Sequence, residues 1–368
     1  MGERIDVING LRGVAILSVI WHHINKLTTA GSHVLLIGDI NFNFLPLAPL
    51  NNGWLGVNLF FVLSGFVLFL PFARGKRPLD GASDFKSFYF RRAKRLLPLF
   101  YISLAAFMAI DFVLTGRLVS IPHLLLYVTA TFNFDIKTFF PYNNWVLWSL
   151  GLEILFSIIF PFLVLFARRF SIGRLLMLTL VMSLTVRYIG NQTADLNIFL
   201  NPVRDSIFGR LDDFVIGMWL CHVYLNPPKK TYSAGGLILG GALAIFACCS
   251  LWDYMQLGLA PIGIRPLLYN LFQLGIVCII FPLLTARKSR LRSALTVTSL
   301  QIVGMMTFSL YVWHGRLIYL MAANADAAHL IVYFITLFSL SALTYRFIEF
   351  RTTKDWRPLF LRPAKDAS

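Results

Sequence analysis

Apolar residues run along this chain in long blocks, and the polar and basic residues collect between them. Blocks long enough to cross a hydrocarbon core of about 30 Å fall near 10–27, 53–73, 96–115, 145–167, 172–190, 211–226, 234–252, 267–286, 302–322 and 329–348. They predict an all-α polytopic membrane protein with about ten transmembrane helices. A further apolar piece, 118–134, is short and carries Pro122 and His123. The charges flanking the blocks decide whether it crosses.

The connection 74–95 holds eight basic residues (Arg74, Lys76, Arg77, Lys86, Arg91, Arg92, Lys94, Arg95), whereas 28–52 holds none. Because Lys and Arg gather in cytoplasmic loops, the first connection is expected outside and the second inside. Arg168, Arg169 and Arg174, then Lys229 and Lys230, then Arg287, Lys288, Arg290 and Arg292, and the basic tail all fall inside if 118–134 does not cross. That segment is therefore expected to be re-entrant or to lie at the outer surface, with both termini cytoplasmic. Residues 1–350 read as one transmembrane domain and 351–368 as a basic cytoplasmic tail resting at the inner interface.

Composition agrees with this picture. Hydrophobic residues make up 57% of the 368 positions, charged residues only 14%, and the mean hydropathy is +0.70, which excludes a water-soluble domain of this length. The formal net charge of +16 points to topology, not to nucleic acid. Cys221, Cys248, Cys249 and Cys278 lie in apolar runs without metal-type spacing and read as packing residues, so no metal is expected. No small-residue cleavage site follows Trp21-His22-His23, so the first block reads as an anchor and not a removable signal.

Ionisable residues inside membrane helices are costly and usually mark a functional path. Arg12 and His23 lie eleven residues apart on the first helix, about 16 Å along its axis and within about 20° of the same face. They form a seam with a charged mouth and a titratable centre. Ser149 and Glu153 share a face of the fourth span. Counting from the helix ends puts Glu153 and His314 about 18 Å, and His23 about 16 Å, from the inner side, so the three are expected to converge on one level. A structural alternative is a satisfied pair that only holds helices together. His22 points about 100° away from His23 and reads as a packing or lipid-side neighbour. Arg91, Arg92 and Arg95 are placed to grip phosphates, although positive-inside topology alone would also put cations there. Arg210 and Asp212, at the outer end of the sixth span, either pair or bind an acceptor. Glu349, beside Arg346 and Arg351, reads as part of an interfacial ion cluster.

Taken in order, Arg12 and His23, Gly56-Val57 through Leu63-Ser64-Gly65, Arg91-Arg92-x-x-Arg95-x-x-Pro98, Trp148-Ser149-x-x-x-Glu153, Gly209-Arg210-Leu211-Asp212 and Ser309-Leu310-Tyr311-x-x-His314 resemble the acyltransferase-3 family of bacterial integral-membrane O-acyltransferases. The likeness runs over nearly the whole chain. It implies transfer of an acyl group, usually acetyl from acetyl-CoA, to a hydroxyl of a sugar, with Arg12 and His23 in the places of the family's essential Arg and His. The implied setting is the bacterial inner membrane, and the implied partner is a carbohydrate acceptor, lipid-linked forms included. Two features depart from the family pattern. Asn9 stands where the family commonly has Asp, and the chain stops at residue 368 without a C-terminal hydrolase-like domain, whose work is then expected to be unnecessary or supplied in trans.

On this reading the donor phosphates meet Arg12, Arg91, Arg92 and Arg95, and the thioester follows the Arg12–His23 seam. His23 acts as general base on the acceptor hydroxyl, with a covalent acyl-histidine as the alternative route; Glu153 orients or charge-stabilises the imidazole, and Ser149, Arg210, Asp212, Tyr311 and His314 support the acceptor or the site. The principal rival is a secondary transporter, because midplane His and Glu also serve proton coupling. Against it stands the lack of an inverted repeat or of matched broken helices. A scaffold in a polysaccharide-export complex is a third reading, and it would not need His23.

Overall fold

A computed structural model of the protein describes residues 6–28, 35–37, 40–42, 48–193, 201–228, 232–285, 289–321 and 327–349. The first helix, α1 (Asp6–Thr28), is followed by a small antiparallel ribbon of β1 (Leu35–Ile37) and β2 (Ile40–Phe42), paired in the register Leu36 to Asn41. Next come α2 (Ala48–Asn51), α3 (Gly56–Ala73), α4 (Ala82–Thr115) and α5 (Ile121–Val128). Nine further α-helices follow among the described residues: α6 (Leu147–Phe170), α7 (Ile172–Thr193), α8 (Ile207–Leu225), α9 (Ala234–Gln256), α10 (Arg265–Thr285), α11 (Arg290–Leu295), α12 (Thr298–Met305), α13 (Thr307–Met321) and α14 (Ala327–Thr344), which ends in a π-turn at Tyr345–Glu349. The basic positions Lys229, Lys230, Arg287, Lys288 and Arg351, and the tail 351–368, lie outside the described residues.

Among the described residues, eight helices are long and apolar enough to cross a membrane, and the chain is a multi-pass membrane protein. Two more helices sit where the sixth and ninth spans are expected. One is α8, which carries Arg210, Asp212 and Asp213 in its first turns, and the other is the 15-residue α13. At eight residues, or about 12 Å, α5 is too short to cross, as the charge pattern requires of 118–134. The third span begins earlier than hydropathy suggests. With 34 residues, α4 is about 51 Å long, and its first half carries the cations the sequence reading placed in a loop. The block 302–322 is likewise not continuous, because it breaks at Met306 between α12 and α13.

The helices differ in how much surface they hide. Two thirds (67%) of the apolar window of α3 is buried, against 22% for α7, α9 and α14, so α3 is central and the other three face lipid. Small residues set the central contacts. A Cβ at Gly65 would strike the backbone of Phe214 on α8, one at Gly217 that of Val62 on α3, and one at Gly56 the Ala15 carbonyl on α1. These approaches bring α1, α3 and α8 to backbone contact, the arrangement small residues permit in membrane bundles. Gly304 does the same for α12 against Asn9 of α1.

Candidate active site

Two cavities lie along the seam of α1. The first, about 560 Å³, is lined by Arg12, by Arg74, Lys76 and Arg77 at and beyond the end of α3, and by Arg91, Arg92 and Arg95 from the basic half of α4. Two carboxylates also face it. Glu153 accepts from the Arg92 guanidinium at 2.5 Å, and Arg92 Nε also donates to Ser157 Oγ at 2.9 Å, so this cation is clamped to α6 by two bonds. Glu349 is carried in by the π-turn and accepts from Ser309 Oγ at 2.5 Å. Single-turn π insertions recur at functional sites because they re-aim side chains. With seven cations against two carboxylates, the chamber is built to attract an anion of high charge.

The second cavity, about 430 Å³, is lined by His22 and His23, by Lys26 and Arg316, and by an aromatic set that includes Trp54, Trp145, Trp148 and Tyr319. His23 is held between rings. Trp145 meets it edge-on with centroids 4.6 Å apart, and His314 stacks on it at 5.3 Å with a 23° tilt between planes. The tautomer of His314 follows from its partner. Its Nδ1 lies 2.7 Å from the Tyr311 carbonyl, which can only accept, so Nδ1 carries the hydrogen and Nε2 the lone pair. That Nε2 is buried without a hydrogen-bond partner among the described residues. The same logic gives His22 a hydrogen on Nδ1, donated to the Asn51 carbonyl at 2.6 Å.

Residues 5–346 match the acyltransferase domain family. The chain belongs to the acyltransferase-3 family. Similar proteins include one from Staphylococcus aureus (strain COL) named "Putative O-acetyltransferase SACOL0978", 25% identical over 402 residues, or 96% of this chain and 59% of that protein. Another, from Bacillus subtilis (strain 168), is named "Putative peptidoglycan O-acetyltransferase YrhL" and is 33% identical over 172 residues, 42% of this chain and 23% of that protein. A third, from Acidianus two-tailed virus, is named "Putative acetyltransferase ORF330" and is 33% identical over 149 residues, 39% of this chain and 36% of that protein. The chain spans about three fifths of the length of the staphylococcal relative and smaller shares of the other two. No solved structure matches it.

In this acyltransferase-3 family member the residues singled out from sequence divide between three places. Arg12, Arg91, Arg92, Arg95, Ser149 and Glu153 line the cationic cavity, and His23 lines the other. Tyr311 lines both, and His314 backs His23. The structure brings His23 and His314 together, while Glu153 faces the other cavity and has the Arg92 guanidinium, not an imidazole, as its hydrogen-bond partner. Arg210 and Asp212 line neither cavity. They belong to a buried network in which Asp212 pairs with Arg187 and accepts from Gln273 at 2.9 Å, while Arg210 pairs with Asp205 and stands 4.1 Å over the Tyr269 ring. Of the two readings of His22, packing or lipid-side, the structure shows packing: it is buried and also lines the histidine cavity.

Several groups facing the cavities, among them Lys26, Arg74, Lys76 and Arg77, were not identified as site residues by sequence reasoning, and three of the others show why. Glu349 was read as an interfacial ion, because nothing in Tyr345-Arg346-Phe347-Ile348-Glu349 announces a π-turn. Arg316, paired with Asp111, lies only two residues past His314 and was visible as a cation inside an apolar block. Trp145 precedes the Trp148-Ser149 motif by three residues, in the turn before α6.

Proposed function

We propose that this protein transfers an acetyl group from acetyl-CoA to a sugar hydroxyl of a cell-surface or exported polysaccharide, working in a bacterial inner membrane with ten spans and both termini cytoplasmic. One observation carries the reading. A single helix presents Arg12 to a chamber rich in cations and His23 to an adjoining chamber of aromatic rings and imidazoles. The first suits the phosphates of a nucleotide-bearing thioester, and the second suits a sugar, whose apolar ring faces pack on aromatic side chains. The names of the relatives, one of them a peptidoglycan O-acetyltransferase, support the same chemistry.

Donor phosphates bond to Arg12, Arg91, Arg92 and Arg95, with Arg92 pre-set by Glu153 and Ser157. His23 withdraws the proton of the acceptor hydroxyl as its oxygen attacks the thioester carbon. The new C–O bond forms, the C–S bond breaks, and the proton passes from His23 to the departing thiolate, which leaves as the CoA thiol. Tyr311 fixes His314, and His314 stacks against His23 to hold the ring.

The test is reconstitution of the full chain in vesicles supplied with labelled acetyl-CoA, together with NMR of O-acetyl signals in glycans from cells with and without the gene. Acetyl-dependent thiol release and gene-dependent O-acetyl signals are expected. A protein that neither releases thiol nor alters any glycan would overturn the reading.

A further inference from the structure

The two cavities share two lining residues, Val57 of α3 and Tyr311 of α13. These walls are built differently. Val57 follows Gly56, whose missing side chain is the space taken by the Ala15 carbonyl and Val19 of α1, so the α3 wall has no room to retreat. Tyr311 is a latch. Its hydroxyl and Ser149 Oγ on α6 share a hydrogen bond of 2.6 Å, while the ring leans on Phe60 at 5.9 Å and on His314 at 5.2 Å. Val57 and the Tyr311 ring present carbon to a migrating group, and neither residue is a cation that would draw phosphate through.

We propose that Val57 and Tyr311 form the constriction through which the acyl group passes from the cationic cavity to the histidine cavity, and that its width selects the acyl chain length. The inference rests on the proposed assignment of donor and acceptor to the two cavities. An acetyl group is the smallest acyl that carries a carbon tail. Each added methylene must displace the Tyr311 ring against Phe60 and His314 or press on a wall that cannot yield. One methylene in a shaped pocket discriminates by about 10- to 200-fold.

The experiment uses inverted membrane vesicles from cells expressing the full chain, with 1-¹⁴C-labelled acetyl-, propionyl- and butyryl-CoA as donors. The readout is kcat/KM for label incorporated into endogenous glycan at matched protein amounts. The unsubstituted protein is expected to favour acetyl over butyryl by two orders of magnitude or about that. Val57→Ala should raise the butyryl-to-acetyl ratio at least about tenfold. Tyr311→Phe keeps the ring and drops the latch, so it should raise the ratio by a smaller factor, and it gives a second readout should Val57→Ala not accumulate. Acetyl incorporation by the unsubstituted protein with ratios unchanged in the variants overturns this proposal alone. Absence of incorporation from every thioester overturns the assignment of donor and acceptor as well.

Discussion

Trp145 meets the His23 ring edge-on and His314 stacks against its face, and such packing gives an imidazole one orientation toward a reacting hydroxyl. General base catalysis contributes about 10²- to 10⁴-fold, so His23→Ala should lose acetyl transfer by at least the lower figure at matched protein levels. His22→Ala leaves the Asn51 carbonyl without its 2.6 Å donor and should cost much less; acetylation assays of the two variants side by side check the order. The cations admit a separate test. Joint Arg92→Gln and Arg95→Gln replacement leaves five lining cations and should raise the apparent KM for acetyl-CoA more than it lowers kcat. The seam of Arg12 and His23 was legible from spacing alone, since both positions belong to one rigid helix. The partner of Glu153 was not, because α4 and α6 meet through a rotation about their axes that no residue count reveals. Between the two readings of His22, packing or lipid-side, spacing could not choose: the lipid side of α1 at that level is taken by the exposed Trp21, while His22 turns inward to the Asn51 carbonyl.

At the scale of elements, the buried charges beside the site hold helices together. Asp212 on α8 pairs with Arg187 on α7 and accepts from Gln273 on α10, while Asp213 accepts from Asn58 on α3 at 3.2 Å. Removing one partner of a buried pair strands the other charge at a cost of about 3–5 kcal/mol. Asp212→Ala should therefore lower the thermal unfolding midpoint in detergent and the yield of folded protein, without a selective effect on donor affinity. The blocks of apolar sequence located every long helix except the start of α4, whose basic first half begins where the Asp84 carboxylate, in the first turn, accepts from the Gly81 backbone N–H at 3.3 Å. Hydropathy does not register a helix that continues into water. The break at Met306 and the π-turn at Tyr345–Glu349 were equally silent, since both change hydrogen-bond register without changing composition.

For the whole molecule, the proposed topology places Lys137 and Arg169 on opposite sides of the membrane. Reporter fusions at the two positions should give opposite signals, and agreement between them would remove the ten-span arrangement. The division into a cationic and a histidine chamber with Tyr311 between them also has an electrical consequence. The phosphates of the donor stay at one end, and what travels is formally an acyl cation exchanged for the hydroxyl proton. When His23 returns that proton to the departing thiolate, each cycle carries one positive equivalent outward and one inward. A proton released on the far side would instead work against an inside-negative potential, at about 2.3 kcal/mol per elementary charge per 100 mV. Acetyl transfer measured in sealed vesicles should keep the same rate whether a potassium diffusion potential is imposed or collapsed, because the catalytic cycle moves no net charge through the field.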